Sequence, residues 1–348
     1  MKKVLSLFLT MILSCSMLTG CAPIKNKIAY TIYPIEYILN RLTDETIEYE
    51  SIQTDSIIQR ATLKSNYKEI LENSAVLMHI GQLEPYLPLY SSEISETEVS
   101  RLDLSSLNAV YKFQRYTPVF ANNQVTYIEG PYYDDPAFDI LDVDTIDLYL
   151  WTDPIVMLSM AKDICKWLDN KFPEKIQVFD ENLKDLETDL INLDAQYQSL
   201  SSSLLNNNKK IRFVTMTSSF GNWQKTYNFE VYPVILSKYG ALPTKSQLEV
   251  IKNRIVEDNV KYIVYEPNMT EDMIQLFDEL QEELGLTRVE RSNLSSLTEV
   301  EKNSGKDYIS IMYENLQVLR SPYTFQDYED ILRSLSDFPW LHPLLPRH

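Results

Sequence analysis

Residues Asp147–Pro154 read D-L-Y-L-W-T-D-P. Asp153 followed by Pro154 is a helix start: a carboxylate N-cap, then a proline in the first turn, where its missing N–H costs nothing. Leu158, Ala161, Cys165 and Leu168 follow at 3-4-3 spacing, so one face of this helix is buried, and Pro173 ends it. A longer stripe comes next: Leu183, Leu186, Leu190, Leu193, Tyr197, Leu200 and Leu204. Three heptads bounded by loops favour a helix lying on its own domain over a coiled coil.

On the N-terminal side, Lys27–Tyr33 alternates as a strand, and Pro34 opens a helix with Ile35, Ile38, Leu39 and Leu42 on one face. A second helix is predicted near Tyr67–Asn73, and Ala75–Ile80 is a continuous apolar run suited to a buried parallel strand. Strand, helix, strand is the pattern of an α/β lobe. On the C-terminal side the pattern returns. Lys210–Met216 and Val260–Tyr265 read as strands; Ser219–Thr226, Gln247–Val256, Glu271–Leu284 and Asp307–Leu319 read as helices. Gly285 stops the third of these helices. Residues 115–147 read as irregular. Within them Glu129, Asp134, Asp135, Asp139, Asp142, Asp144 and Asp147 carry no Lys or Arg among them, which marks a surface loop with weak cation attraction. Beyond Ser321, Phe325–Leu335 reads as a short helix, and the apolar, proline-rich Phe338–Leu345 is expected to pack on the body.

The N-terminus sets the compartment. Lys2 and Lys3 precede an apolar run, Val4–Leu18, too short to span a bilayer comfortably, and then Leu18-Thr19-Gly20-Cys21. That is a secretory signal ending in a lipobox. Cys21 becomes the acylated N-terminus, inserted in the lipid bilayer at the outer face of the cytoplasmic membrane. Cys15 leaves with the signal, so Cys165 stands alone, and neither an intrachain disulfide nor a C-x-x-C metal site is available. About 325 mature residues are ample for two domains. The formal charge is −18, or −20 once Lys2 and Lys3 are removed, which argues against nucleic acid as a partner. Seven glycines form no phosphate cradle, and the three histidines are His79, His342 and His348. No Ser/His/Asp set, Cys/His pair or paired-carboxylate motif stands out, so an enzyme is the weakest reading.

Five segments in order carry a resemblance. They are Ile28–Ile35 (I-A-Y-T-I-Y-P-I), Lys68–Glu84 through S-A-V-L-M-H-I-G-Q-L-E, and Phe213–Gly221 (F-V-T-M-T-S-S-F-G). Tyr262–Asn268 (Y-I-V-Y-E-P-N) and Gly305–Leu319 complete the set. With D-L-Y-L-W-T-D-P, which is similar to a D-P-H-V-W-L-D-P segment, the chain resembles the metal-binding lipoproteins that serve zinc and manganese ABC importers. The resemblance covers about residues 27–320. It implies an α/β fold: two α/β lobes joined by a long rigid connecting helix, with the ligand cleft between the lobes. The divisions implied are a lipoprotein signal at 1–20, an N-terminal lobe at 21–152 with its acidic loop at 129–147, and the connecting helix at 153–172. The C-terminal lobe takes 173–320, and 321–348 form an extension.

The resemblance also implies four ligand positions, and this chain departs from it at each. Ile58 stands at the first, Tyr149 at the second, Thr217 at the third, and the fourth falls near Asn293. Zinc or manganese, the ion implied by the family, needs neutral imidazoles and carboxylates. Hydroxyls and an amide suit a small polar ligand instead. Glu266 follows a buried strand and is a candidate for lining the cleft, read as structural, an acceptor for nearby backbone. Arg60 and Asn268 are further candidates for lining the cleft. His79 lies in an apolar strand and is read as a core histidine. The expectation is a membrane-anchored extracytoplasmic solute-binding lipoprotein working with an ABC permease and ATPase, with tight transition-metal binding lost. The alternative is a non-transport surface lipoprotein, for adhesion, interaction or an accessory role, on the same scaffold. Adjacent permease and ATPase genes separate the two.

Overall fold

The computed structural model describes residues 25–43, 46–54, 57–106, 111–112, 114–121, 124–131, 135–138, 146–207 and 209–320. The leader with Cys21, most of the acidic loop, and the C-terminal extension with His342 and His348 lie outside the described residues.

Each lobe is built on a four-stranded parallel sheet. In the N-terminal lobe, β1 (Lys27–Tyr30), β2 (Tyr49–Ser51), β3 (Ser74–His79) and β4 (Ser100–Asp103) lie in the order β2-β1-β3-β4. The helix Tyr33–Leu42 crosses from β1 to β2, with Pro34 in its first turn as expected. Between the lobes, β5 (Tyr111–Lys112), β6 (Gln114–Ala121), β7 (Gln124–Pro131) and β8 (Ile146–Asp147) pair antiparallel, β5 with β8 and β6 with β7. In the C-terminal lobe, β9 (Arg212–Thr215), β10 (Glu230–Pro233), β11 (Tyr262–Tyr265) and β12 (Thr287–Glu290) lie in the order β10-β9-β11-β12. The two lobes therefore share one strand order, first strand inside and second strand at the edge.

Two expectations need correcting. Residues 115–147 are not irregular throughout: β6 and β7 form an eight-rung hairpin from Gln114↔Pro131 to Ala121↔Gln124. β-formers such as Tyr116, Val119, Val125, Tyr127 and Ile128 supply the strand propensity, which Pro118 and Pro131 disguise. The helix expected from Ser219 begins later, at Asn222. Hydroxyls at Thr217 and Ser219 bond elsewhere and withhold that stretch from the helix.

The connecting helix runs Pro154–Lys171. Its N-cap is Asp153, whose Oδ1 accepts from the backbone N–H groups of Ile155 (2.9 Å) and Val156 (3.3 Å). Met157, Met160, Ala161, Ile164, Cys165 and Leu168 are buried along it. The long helix Ile176–Asn206 packs beside it and buries the predicted stripe from Leu186 to Leu204, with Leu183 half-buried. Arg41 of the N-terminal lobe pairs with Asp189 of this helix (2.8 Å), and Asn182 donates to Leu42 O (3.0 Å). The principal hydrophobic core is continuous from Ile28 and Val76 through both helices to Phe213, Trp223 and Leu294. A final helix, 308–320, closes the C-terminal lobe against it.

Glu84, just past β3, is fully buried. Burial raises its carboxyl to about 7, opposed by the nearby Thr31 hydroxyl and its own backbone amide and reinforced by Asp103. Neither carboxylate oxygen closes a hydrogen bond of ordinary geometry. Between the ordinary value of 4.5 and about 7 the folded chain holds a proton that the unfolded chain has released. The stabilisation from this group is therefore complete below the ordinary value and lost as pH rises through the folded one. Glu84→Gln is expected to exceed the parent in stability at mildly alkaline pH by up to about 3 kcal/mol, with the gap closing in acid. Urea denaturation across that pH range checks this; a pH-independent gap counts against it.

Candidate functional site

The segment Asp147–Pro154 runs between the lobes and is bonded to both. Tyr149 is buried, its ring 5.1 Å from that of Trp151. Its hydroxyl accepts from Gln59 Nε2 (2.7 Å) on the N-terminal lobe. Its carbonyl accepts from Asn222 Nδ2 (3.1 Å) on the C-terminal lobe. Trp151 Nε1 donates to Asn293 O (2.7 Å), and Trp151 O accepts from Tyr308 (2.6 Å). Thr152 O accepts from Trp223 Nε1 (2.8 Å), and Asp153 Oδ2 accepts from Thr226 (2.7 Å).

Thr217 and Asn293 converge on Glu266, which is fully buried at the end of β11. Thr217 N donates to Glu266 Oε1 (2.9 Å). Glu266 Oε2 receives Ser219 Oγ (2.7 Å) and Asn293 Nδ2 (2.9 Å). Thr217 Oγ1 lies 2.8 Å from the same oxygen and 2.9 Å from Ser219 Oγ, so its single proton serves one of them. Asn293 Oδ1 is itself occupied by Ser295 N (3.0 Å) and Ser295 Oγ (2.8 Å). The groups aimed at the centre of this network are donors around a carboxylate, and the amide's lone pairs are already engaged. Glu266 thus accepts nearby backbone, as anticipated, and three side chains besides.

Ile58 sits on a short 3₁₀ turn, buried in the same apolar cluster as Tyr149, Trp151 and Leu294. Arg60, two residues on, reaches across to the other lobe: its Nη2 donates to Gly240 O (2.8 Å) and Asp272 Oδ2 (2.9 Å). Asn268 stands apart with a positive φ of 63° and donates to Ser296 Oγ (2.8 Å). His79 is buried at the end of β3, with Nδ1 3.0 Å from Gly81 O. Burial lowers its pKa, so its neutral form is favoured.

Four participants escaped the sequence reading. Gln59, Ser219 and Asn222 are single polar residues whose partners are remote in the chain. Gly240 carried a signal as one of only seven glycines. Its φ is +66°, and a Cβ there would meet Gln59 Cβ at 2.9 Å and Arg60 Nε at 3.0 Å. Glycine is what lets the Gln59–Arg60 turn close on the C-terminal lobe.

Among the described residues, the one set of three His, Cys, Asp or Glu with ligand atoms mutually within 4.8 Å is Cys165, Asp169 and Asp180. It lies between the two long helices, away from the interlobe residues. Burial pushes the Cys165 thiol up to about 11, with both aspartates adding to the rise, which disfavours the thiolate a metal would need.

Two parallel-sheet lobes bridged by a single long helix define the helix-linked class of two-lobed solute-binding folds. The chain belongs to the family of the periplasmic zinc-uptake complex component A, ZnuA, whose profile matches residues 28–321. That is a family of uptake components and not of enzymes. The chain is 26% identical over 174 residues to zinc-binding protein AdcA of Streptococcus pyogenes serotype M1, covering 50% of this chain and 32% of that one. It is 25% identical over 175 residues to the high-affinity zinc uptake system protein ZnuA of Bacillus subtilis, covering 50% and 53%. The matched stretch thus spans about a third to a half of these curated relatives. Among solved structures, the Zn(II)-bound ZnuA-like domain of Streptococcus pneumoniae AdcA aligns with a TM-score of 0.62 at 19% identity, covering 85% of this chain and 98% of that one. The periplasmic zinc-binding protein TroA of Treponema pallidum aligns at 0.64 and 14% identity, covering 85% and 98%.

The network predicts an asymmetry between two substitutions. Glu266→Leu strands several buried donors and is expected to cost about 3–5 kcal/mol. Tyr149→Phe removes one hydrogen bond and is expected to cost about 1 kcal/mol. Equilibrium urea denaturation of both variants measures the difference; equal costs would contradict the arrangement.

Proposed function

We propose that the chain is the extracytoplasmic solute-binding subunit of an ABC importer, tethered to the membrane through acylated Cys21, and that its cleft does not hold zinc or manganese tightly. The observation that carries this is the set of groups at the four family ligand positions. Ile58 offers no donor atom. The Tyr149 hydroxyl is held by Gln59, the Thr217 hydroxyl lies within reach of Glu266 and Ser219, and the Asn293 amide bonds Glu266 and Ser295.

A divalent transition metal takes lone pairs from imidazole and carboxylate. Among the described residues, Glu266 is the carboxylate that Thr217 and Asn293 bond, and it is already met by three donor residues. Stripping those donors for a metal leaves Ser219 and Asn293 unpaired in a buried place. A small polar solute would exchange hydrogen bonds with the same groups without that loss. The permease and ATPase of the importer are the partners this reading requires.

Purified protein is expected to carry substoichiometric zinc and manganese by elemental analysis. Its Tm is expected to stay unchanged at metal concentrations where a tight site, held at about 1,000 Kd, would add about 4 kcal/mol. One equivalent of metal with a large stabilisation would overturn the loss of the site. For the anchor, Cys21→Ser is expected to move the protein from the membrane fraction to the soluble extracytoplasmic fraction. Retention of the variant on membranes would rule out tethering through this residue.

A further inference from the structure

Arg291 follows β12 directly, its N–H bonded to Tyr265 O (3.2 Å) at the end of β11. The side chain is turned inward, 3% exposed, with its guanidinium stacked 4.6 Å from the centroid of the Phe213 ring. Among the described residues, neither Nε nor Nη1 finds a hydrogen-bond partner, and Arg291 takes part in none of the ion pairs. A guanidinium does not lose its proton in a protein. A buried cation with a ring face for company and no anion is an incomplete arrangement.

Arg291 also lines an open cleft of about 790 Å³ in the C-terminal lobe, between the end of the sheet and the helix 308–320. This cleft is formed within one lobe; Glu266 and Asn293 do not line it, whereas their neighbours Tyr265, Pro267 and Ser292 and the candidate Asn268 do. Asn315 fixes one wall by bonding both Ser292 N (3.1 Å) and Ser292 O (2.8 Å). Ile311, Tyr313 and Val318 give another wall an apolar character. Three glutamates line the cleft, and each is engaged. Glu290 pairs with Arg288 (2.7 Å), Glu301 receives the N–H and hydroxyl of its helix cap Thr298 (2.7 and 2.8 Å), and Glu314 pairs with Lys306 (2.8 Å). Their charges still disfavour a multiply charged anion. One unpaired cation calls for one negative charge, and a planar carboxylate matches the guanidinium fork.

We propose that the Arg291 cleft binds a small organic monocarboxylate, its carboxylate on the guanidinium and its hydrocarbon body against Ile311, Tyr313 and Val318. This site goes beyond the interlobe reading and stands whether or not the interlobe cleft takes a metal.

The test uses the full chain and three probes at matched ionic strength: isovalerate, inorganic phosphate and chloride. Isovalerate well above its Kd is expected to raise the Tm of the parent by about 2 °C, with no such rise for phosphate or chloride. In Arg291→Met the isovalerate shift is expected to vanish, while the unliganded Tm holds or rises because an unpaired buried charge is gone. An equal shift in the variant, a larger shift with phosphate, or none with isovalerate overturns the proposal. Should Arg291→Met fail to fold, parent crystals soaked in 4-bromobutyrate decide the matter. Bromine density in the cleft with the carboxylate at Arg291 supports the site, and its absence there overturns it.

Discussion

The hydrogen bonds from Trp151, Thr152 and Asp153 to the C-terminal lobe are the constraint on which the rest of the molecule depends. Five consecutive residues, Tyr149 to Asp153, include four that accept or donate across the boundary, to Asn222, Asn293, Tyr308, Trp223 and Thr226. The connecting helix starts from this anchored point, so its direction relative to the second lobe is set before its own apolar face packs. Asp153 does two jobs with two oxygens: one caps the helix and the other holds Thr226. A residue with a single acceptor oxygen can take one of these jobs but not divide them between two oxygens. Buried indole and phenol groups that each find a backbone carbonyl turn a hydrophobic core into an oriented one.

The same economy of partners governs the interlobe residues. A buried carboxylate is stable when donors surround it, and Glu266 has them from Thr217, Ser219 and Asn293. Such a shell is the electrostatic opposite of a metal site, in which lone pairs converge on a cation. The scaffold around it is held by the continuous core and by the Trp151 anchor. Arg60 adds an outer contact between the lobes, made possible by the missing side chain at Gly240.

The fold was legible in the sequence wherever one period or one cap ruled. The Asp153-Pro154 start, the leucine stripe from Leu186 to Leu204, the Gly285 stop and the central strands of both sheets were all readable. Each depends on local stereochemistry or on a single buried face. The edge strands β2, β4, β10 and β12 are not legible, because three or four residues carry little period of their own, whether mostly exposed as in β4 and β12 or mostly buried as in β10, and are set by their neighbours. The β6–β7 hairpin was hidden by prolines. At the site, Tyr149, Thr217 and Glu266 could be singled out from their places in recognisable segments, and Asn293 only by its approximate position. Their bonding could not, because Gln59–Tyr149 spans 90 positions and Thr217–Glu266 spans 49, and no local pattern encodes such pairs. Arg291 was passed over for a related reason: in the sequence it is one cation among many, and only burial makes it unusual.

The unbroken core that runs from Ile28 through both long helices to Leu294 bears on how this protein is lost as well as how it is held. Two lobes with separate cores can melt in sequence, leaving one folded while proteases cut the other. Here the first strand of one lobe and the last helix of the other bury apolar surface in the same cluster, while each lobe keeps a smaller cluster on the other face of its sheet. Opening one exposes the other. That shared surface couples the opening of the two lobes, which lowers the population of the half-unfolded species that proteases attack most readily.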